Sequence, residues 1–178
     1  MKVVAFAASS SKNSINKKLI IYTVGLLENV DVEVLDLNDY ELPLFSVDRE
    51  AQIGHPERAK AFFDKIGQSD FLIISFAEHN ASYTAAYKNL FDWCSRIDSK
   101  VFQNKPMILL STSPGARGGS SVLSTAVSSA PHFGGRVKAS LSIPSFNENF
   151  DLASGCITNP EIQSQIMKAL ESLTSEVD

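Results

Sequence analysis

Three short stretches of this chain carry residue types that hold ligands. The first runs from Ser9 through Ser10, Ser11, Lys12, Asn13, Ser14 and Ile15 to Asn16, between an apolar run ending at Ala8 and a helical run beginning at Ile15. A helix N-terminus has unpaired backbone N–H groups and a partial positive charge, so it holds anions. Ser9, Ser11 and Ser14 are candidate hydroxyl donors, Asn16 is a candidate amide donor and Lys12 adds charge, a set suited to a phosphate monoester. The plainer reading stands beside it: Ser14 as an N-cap and the other serines as a solvated turn. The chain has no G-x-G-x-x-G and no G-x-x-x-x-G-K-[ST], so the dinucleotide fingerprint and the nucleoside triphosphate loop are both absent. The second stretch, Ala77 to Ser82, is again a polar turn between an apolar run and a helical one. The third, Ser113 to Gly119, is Gly-rich; Gly115, Gly118 and Gly119 lack a Cβ, which lets a planar ligand approach the backbone. His55, His79 and His132 show no metal-ligand spacing, so no metal site is expected.

Hydrophobic periodicity gives the strands and helices around these stretches. Lys2 to Ala8 reads as a buried parallel strand, and Ile15 to Glu28 as a helix with a stripe of Leu19, Ile20, Thr23, Val24 and Leu27. Asp31 to Leu37 alternates strictly and reads as a strand. Asn38 to Pro56 reads as a long loop broken by Pro43 and Pro56. It carries Leu42, Leu44 and Phe45, apolar groups that are awkward to leave in water. Glu57 to Gln68 is expected to be a helix, Asp70 to Ala77 a buried strand, Thr84 to Ile97 a helix and Lys105 to Thr112 a strand. Ser120 to His132 then reads as a helix, Arg136 to Ile143 as a strand, and Asn159 to Leu173 as a closing helix with Pro160 in its first turn. Strands alternating with helices imply a doubly wound parallel sheet with helices on both faces. In such a sheet ligands sit beyond the carboxyl ends of the strands. All three ligand-type stretches follow strands at that edge.

The chain has 178 residues, 44% hydrophobic, which is one domain of ordinary size. A formal net charge of −4 argues against nucleic acid as a partner. No apolar run approaches the roughly 20 residues that span a bilayer, and the N-terminal run reads as a strand rather than a signal peptide. Two cysteines, Cys94 and Cys156, make no disulfide framework, and free thiols fit a reducing cytoplasm.

The second stretch and the helix after it, "AEHNASYTAAYKNLFDW", resemble the P-E-Y-N-x-S-x-P-x-x-L-K-N-x-x-D-W signature of the NADPH-dependent FMN reductase family, with Glu78, Asn80, Ser82, Lys88, Asn89, Asp92 and Trp93 matching. The first stretch is similar to that family's G-S-x-R-x-x-S-x-N element at Ser9, Ser14 and Asn16. Leu42 to Phe45 with Asp48 resembles its L-P-x-Y/F-x-x-D segment, and Ser113 to Gly119 its Gly-rich loop. The resemblance runs from about residue 3 to 143 and keeps the motifs in order. It implies an α/β, flavodoxin-like five-stranded parallel sheet of order 2-1-3-4-5. It also implies FMN held by Ser9, Ser11, Ser14, Ile15 and Asn16 at its phosphate. Ala77, Glu78, His79, Asn80, Ala81 and Ser82 would run along its ring edge, and Ser113, Gly115, Arg117 and Gly118 would lie on the other side. The implied activity is hydride transfer from NADPH or NADH to FMN and on to a flavin, quinone or similar small acceptor, in a homodimer or homotetramer. A flavodoxin-like electron carrier without NAD(P)H activity is the alternative.

Departures from the pattern carry expectations of their own. Ser11 stands where the family has Arg, which removes one charge-assisted contact to phosphate. Ala77, His79 and Thr84 replace Pro, Tyr and Pro, so the ring-edge turn is expected to be looser or differently shaped. Trp93 reads as core packing, Asp92 as the partner of a basic neighbour and Cys94 as inert. Arg117 is placed to reach the flavin ring or the nucleotide phosphates.

Overall fold

The computed structural model describes residues 1–174. At its centre five parallel strands pair in the order β2-β1-β3-β4-β5, the order the resemblance implies. They are β1 (Lys2–Ala8), β2 (Asp31–Leu35), β3 (Phe71–Phe76), β4 (Pro106–Thr112) and β5 (Arg136–Ile143). Every residue of β3 and β4 is buried, as near-continuous apolar strands covered on both faces must be. Alternation along β1 divides the interior. Val4 and Phe6 point to the face covered by α3 (Glu57–Gln68), α4 (Ala85–Ile97) and α5 (Ser120–Ser129), and Val3 and Ala5 to the face covered by α1 (Ile15–Gly25) and α7 (Pro160–Thr174). On the first face Phe62 meets Phe6 edge-to-face, with ring centroids 5.2 Å apart. Edge strands β2 and β5 are only half-buried and carry Glu33, Arg136 and Lys138, charges that discourage further pairing.

The expected elements are present with shifted ends. Helix α1 stops at Gly25 rather than Glu28, and β2 stops at Leu35 because the Asp36 carboxylate accepts from the Asn38 N–H and turns the chain into a 3₁₀ turn, Leu37–Tyr40. Residues 38–56 are not one continuous loop. They also hold α2 (Val47–Ile53), capped by the Ser46 hydroxyl and ended by Gly54 at φ 66°. No residue of α2 is buried, so it leaves no apolar stripe to read. A 3₁₀ turn, Ala130–Phe133, extends α5. Between β5 and α7 lie α6 (Phe146–Asn149) and a two-stranded hairpin of β6 (Phe150–Asp151) and β7 (Cys156–Ile157), too short for periodicity to reveal.

Candidate active site

The carboxyl ends of β1, β3 and β4 lie side by side, with Ala8 paired to Phe76 and Phe76 to Ser111. The loops that follow them enclose a cleft of about 250 Å³. It brings together Ser9, Ser11, Ser14, Ile15 and Asn16 from the first loop, Ala77, Glu78 and His79 from the second, and Ser113 from the third. Asn13, Thr112 and Pro114 also line it and were not singled out by sequence. Asn80, Ala81, Ser82, Gly115, Arg117 and Gly118 do not line it.

In the first loop the Ser9 hydroxyl oxygen accepts from the Ser11 N–H at 3.2 Å, and that of Ser14 from the Lys17 N–H at 3.2 Å. Ser14 is therefore the N-cap of α1, as the plainer reading had it. Because both oxygens are used as acceptors, both hydroxyl protons remain to donate elsewhere. The N–H groups of Ile15 and Asn16 open the helix and have no intrahelical acceptor. The first turn of α1 holds no acidic residue, so its field attracts an anion. Lys17 is already engaged, in a 2.5 Å ion pair with Asp36, while Ser11 and Lys12 are exposed.

Asn16 corrects the expectation of an amide donor aimed at the ligand. Its side chain is 2% exposed and spent inside the fold. The amide oxygen accepts from Ser75 Oγ at 2.7 Å and from the Thr112 N–H at 3.0 Å, and the amide nitrogen donates to the Thr112 carbonyl at 3.1 Å. Asn16 thus pairs with Thr112 as a strand neighbour would, and it ties the start of α1 to β3 and β4.

The second loop is a tight turn. His79 and Ser82 exchange both backbone hydrogen bonds, at 3.0 and 3.1 Å, around Asn80 at φ 52° and Ala81 at φ 61°. Two central residues with positive φ are the mark of a type I′ turn. The expected loosening is not found. Thr84, in place of Pro, caps α4 by accepting from the Tyr87 N–H at 3.2 Å and donates its hydroxyl to the Ala8 carbonyl at 2.9 Å, which fastens the second loop to the first. Glu78 reaches the third loop: its carboxylate accepts from the Val122 N–H at 2.9 Å, supplying the cap that Gly119 at the N-cap of α5 lacks.

The third loop corrects Gly118. A Cβ there would lie 2.6 Å from the Ile143 carbonyl oxygen, so the lack of a Cβ at Gly118, at φ 59°, is required by close packing on β5. Gly115 is open, with only Ser113 Oγ near a Cβ position, at 3.9 Å. The side chain of Arg117 is exposed, and its carbonyl accepts from Ser142 Oγ at 3.0 Å.

Helix α4 explains the remaining motif residues. Asn89 accepts from the Phe45 N–H at 2.8 Å and donates to the Leu42 and Pro43 carbonyls at 3.2 Å each. Trp93, fully buried, donates its indole N–H to the Pro43 carbonyl at 2.8 Å and meets Phe45 edge-to-face. Together they pin residues 42–45 to α4. Asp92 pairs with Lys88 at 2.6 Å, as expected of it. Burial pushes the Cys94 thiol up to about 12, so it is unreactive. Sequence reasoning matched Asn89 to a motif without giving it this role.

The family model for NADPH-dependent FMN reductase matches residues 1–148. An NADPH:quinone oxidoreductase of Arabidopsis thaliana is 31% identical over 125 residues, covering 68% of this chain and 62% of that protein. A quinone reductase of Escherichia coli K12 is 29% identical over 120 residues, covering 67% of this chain and 63% of that protein. The matches therefore span less than two thirds of either relative's length. Among solved structures, FerB of Paracoccus denitrificans, a flavoenzyme NAD(P)H:(acceptor) oxidoreductase, superposes with a TM-score of 0.80 at 25% identity, covering 97% of this chain and 95% of its own.

Proposed function

The chain belongs to the NADPH-dependent FMN reductase family, and from that premise we propose that its cleft binds FMN and that the protein is an NAD(P)H-dependent oxidoreductase acting as a single domain. The observation that carries the reading is the first loop. Ser9 and Ser14, whose hydroxyls still have a proton to donate, and the opening residues of α1 line one cleft with no acidic side chain in that turn, a fit for a terminal phosphate. The chemistry FMN supplies when bound is hydride acceptance from NADPH or NADH and delivery of electrons to a quinone or similar small acceptor. The chain's own part is to bind and orient. Ser9, Ser11, Ser14, Ile15 and the Asn16 backbone hold the phosphate. The turn at Ala77–Ser82 offers backbone groups to the ring edge, and Ser113 and Gly115 flank the other side. Arg117, exposed beside the cleft, binds the incoming nucleotide. Titration of the apoprotein with FMN, riboflavin and FAD tests the phosphate argument: FMN should bind at least tenfold tighter than riboflavin, and equal affinities would refute it.

The same reading makes the protein a cytoplasmic homodimer or homotetramer. Leu44, beside the residues fastened by Asn89 and Trp93, is 73% exposed, and Val47 and Ile53 of α2 are 70% and 52% exposed, apolar groups suited to contact with a second copy. Light scattering at micromolar concentration should report at least a dimer, and a monomer would refute this part.

A further inference from the structure

A second cavity, of about 170 Å³, lies between α4 and α5, away from the three loops' cleft. Its floor is Phe76, Tyr87, Phe102, Leu109, Ala126 and Ala130, each no more than 4% exposed. Its mouth is polar and partly exposed: the Lys88–Asp92 ion pair, Ser95, and the Tyr83 and Ser129 hydroxyls, 3.2 Å apart. Phe91 and Phe133 form one wall, edge-to-face at 4.8 Å. A lined apolar void of roughly 150 Å³ stays dry and takes up benzene, so this one is large enough for a single ring. One group on the floor is out of keeping with an apolar void. Tyr87 is 3% exposed, yet its hydroxyl has no hydrogen-bond partner among the described residues. The oxygen is not sealed off, since Thr23 Oγ1 is the one buried side-chain atom without a partner among the described residues, so the Tyr87 hydroxyl on the cavity lining is open to a guest. Burial pushes this phenol well above its ordinary value of 10.0, so it stays a neutral donor at working pH.

We propose that the cavity between α4 and α5 is a second small-molecule site for a monocyclic aromatic bearing one oxygen substituent, the phenol class, whose oxygen accepts from the Tyr87 hydroxyl. The ring is held by the aromatic walls, whose edge-to-face geometry continues onto a planar guest. Tyr83 belongs to the turn between β3 and α4, so the guest touches the residue that follows the ring-edge loop. The proposal is independent of the flavin reading, because no residue of the first or third loop takes part.

The test uses the full-length protein and isothermal calorimetry with phenol and with toluene. Wild type should bind both, phenol more tightly. Tyr87→Phe deletes only the hydroxyl; it should weaken phenol about threefold to tenfold, the worth of one hydrogen bond, and leave toluene within twofold. Ala126→Leu fills the cavity and should abolish both, with Ala130→Val as the milder filler should the first variant not fold. Saturating FMN should leave phenol affinity unchanged. Absence of phenol binding would overturn the proposal. So would binding that the filling variants leave intact, displacement of phenol by FMN, or equal losses for phenol and toluene in Tyr87→Phe.

Discussion

Replacing Asn16 by alanine removes the side chain that joins α1 to the sheet where the cleft begins. Three hydrogen bonds are lost, to Ser75 and to both backbone groups of Thr112. At about 0.5–1.5 kcal/mol net for each bond, the sum is about 1.5–4.5 kcal/mol. The fully buried Ser75 hydroxyl, left without its acceptor, pushes the cost toward the upper half. Water entering from the adjacent cleft offsets part of it, so about 3 kcal/mol is expected. For a chain of this size 1 kcal/mol moves the melting temperature by about 2–4 °C, which predicts a fall of about 6–12 °C. Urea unfolding of the apoprotein gives the free energy, and calorimetry gives the melting temperature. Asn16→Asp refines the test. It keeps both accepted bonds but sets a carboxylate against the Thr112 carbonyl, so its stability should recover as pH falls and the carboxyl protonates. A loss below about 1 kcal/mol in Asn16→Ala, outside the range one buried network should give, would show that Asn16 does not hold the first loop to the sheet.

Other outcomes follow from the same geometry. Ala81→Gly should stabilise the protein by about 1 kcal/mol, because Ala81 sits at φ 61° where a Cβ is strained; thermal melting checks it. Iodoacetamide should label Cys156 alone in the native protein and both cysteines in denaturant, since Cys94 is buried with its thiol pushed up to about 12 and Cys156 is exposed; mass spectrometry reads the count. The Glu33 carboxyl is held below its ordinary value of 4.5 by hydrogen bonds from Lys65 and Lys2. The stability it contributes is present above pH 4.5 and is lost as pH falls through the lowered value, so Lys65→Met should flatten the acid limb of the stability curve. Unfolding measured from pH 7 to pH 3 checks this.

Much of the fold was legible because β1, β3 and β4 are apolar runs too short to be helices, and because α3 and α4 keep clean apolar stripes. What escaped had no stripe to show. Helix α2 buries nothing, and the β6–β7 hairpin is two residues a side. The candidate site was legible as three loops but not as contacts. Asn16 looked like a ligand donor because its type and place suited one; only the register of Thr112, 96 residues away, spends its amide. Gly118 looked like a ligand approach; the nearness of Ile143, which requires the lack of a Cβ there, shows only in the fold. The tight turn at His79–Ser82 was hidden because its second central residue is Ala81 rather than glycine, the residue positive φ favours. Thr84 and Glu78 carry cross-loop bonds that depend on strand order, which no local pattern encodes.

The central claim is that this cleft holds FMN for reduction by a nicotinamide cofactor. The most direct measurement is anaerobic stopped-flow absorbance of the FMN-loaded protein mixed with NADPH or NADH. The flavin band should bleach with at least one of the two donors and recover when a small quinone is added. A flavin that stays oxidised with both donors, yet bleaches with dithionite, would contradict it and leave an electron carrier in its place.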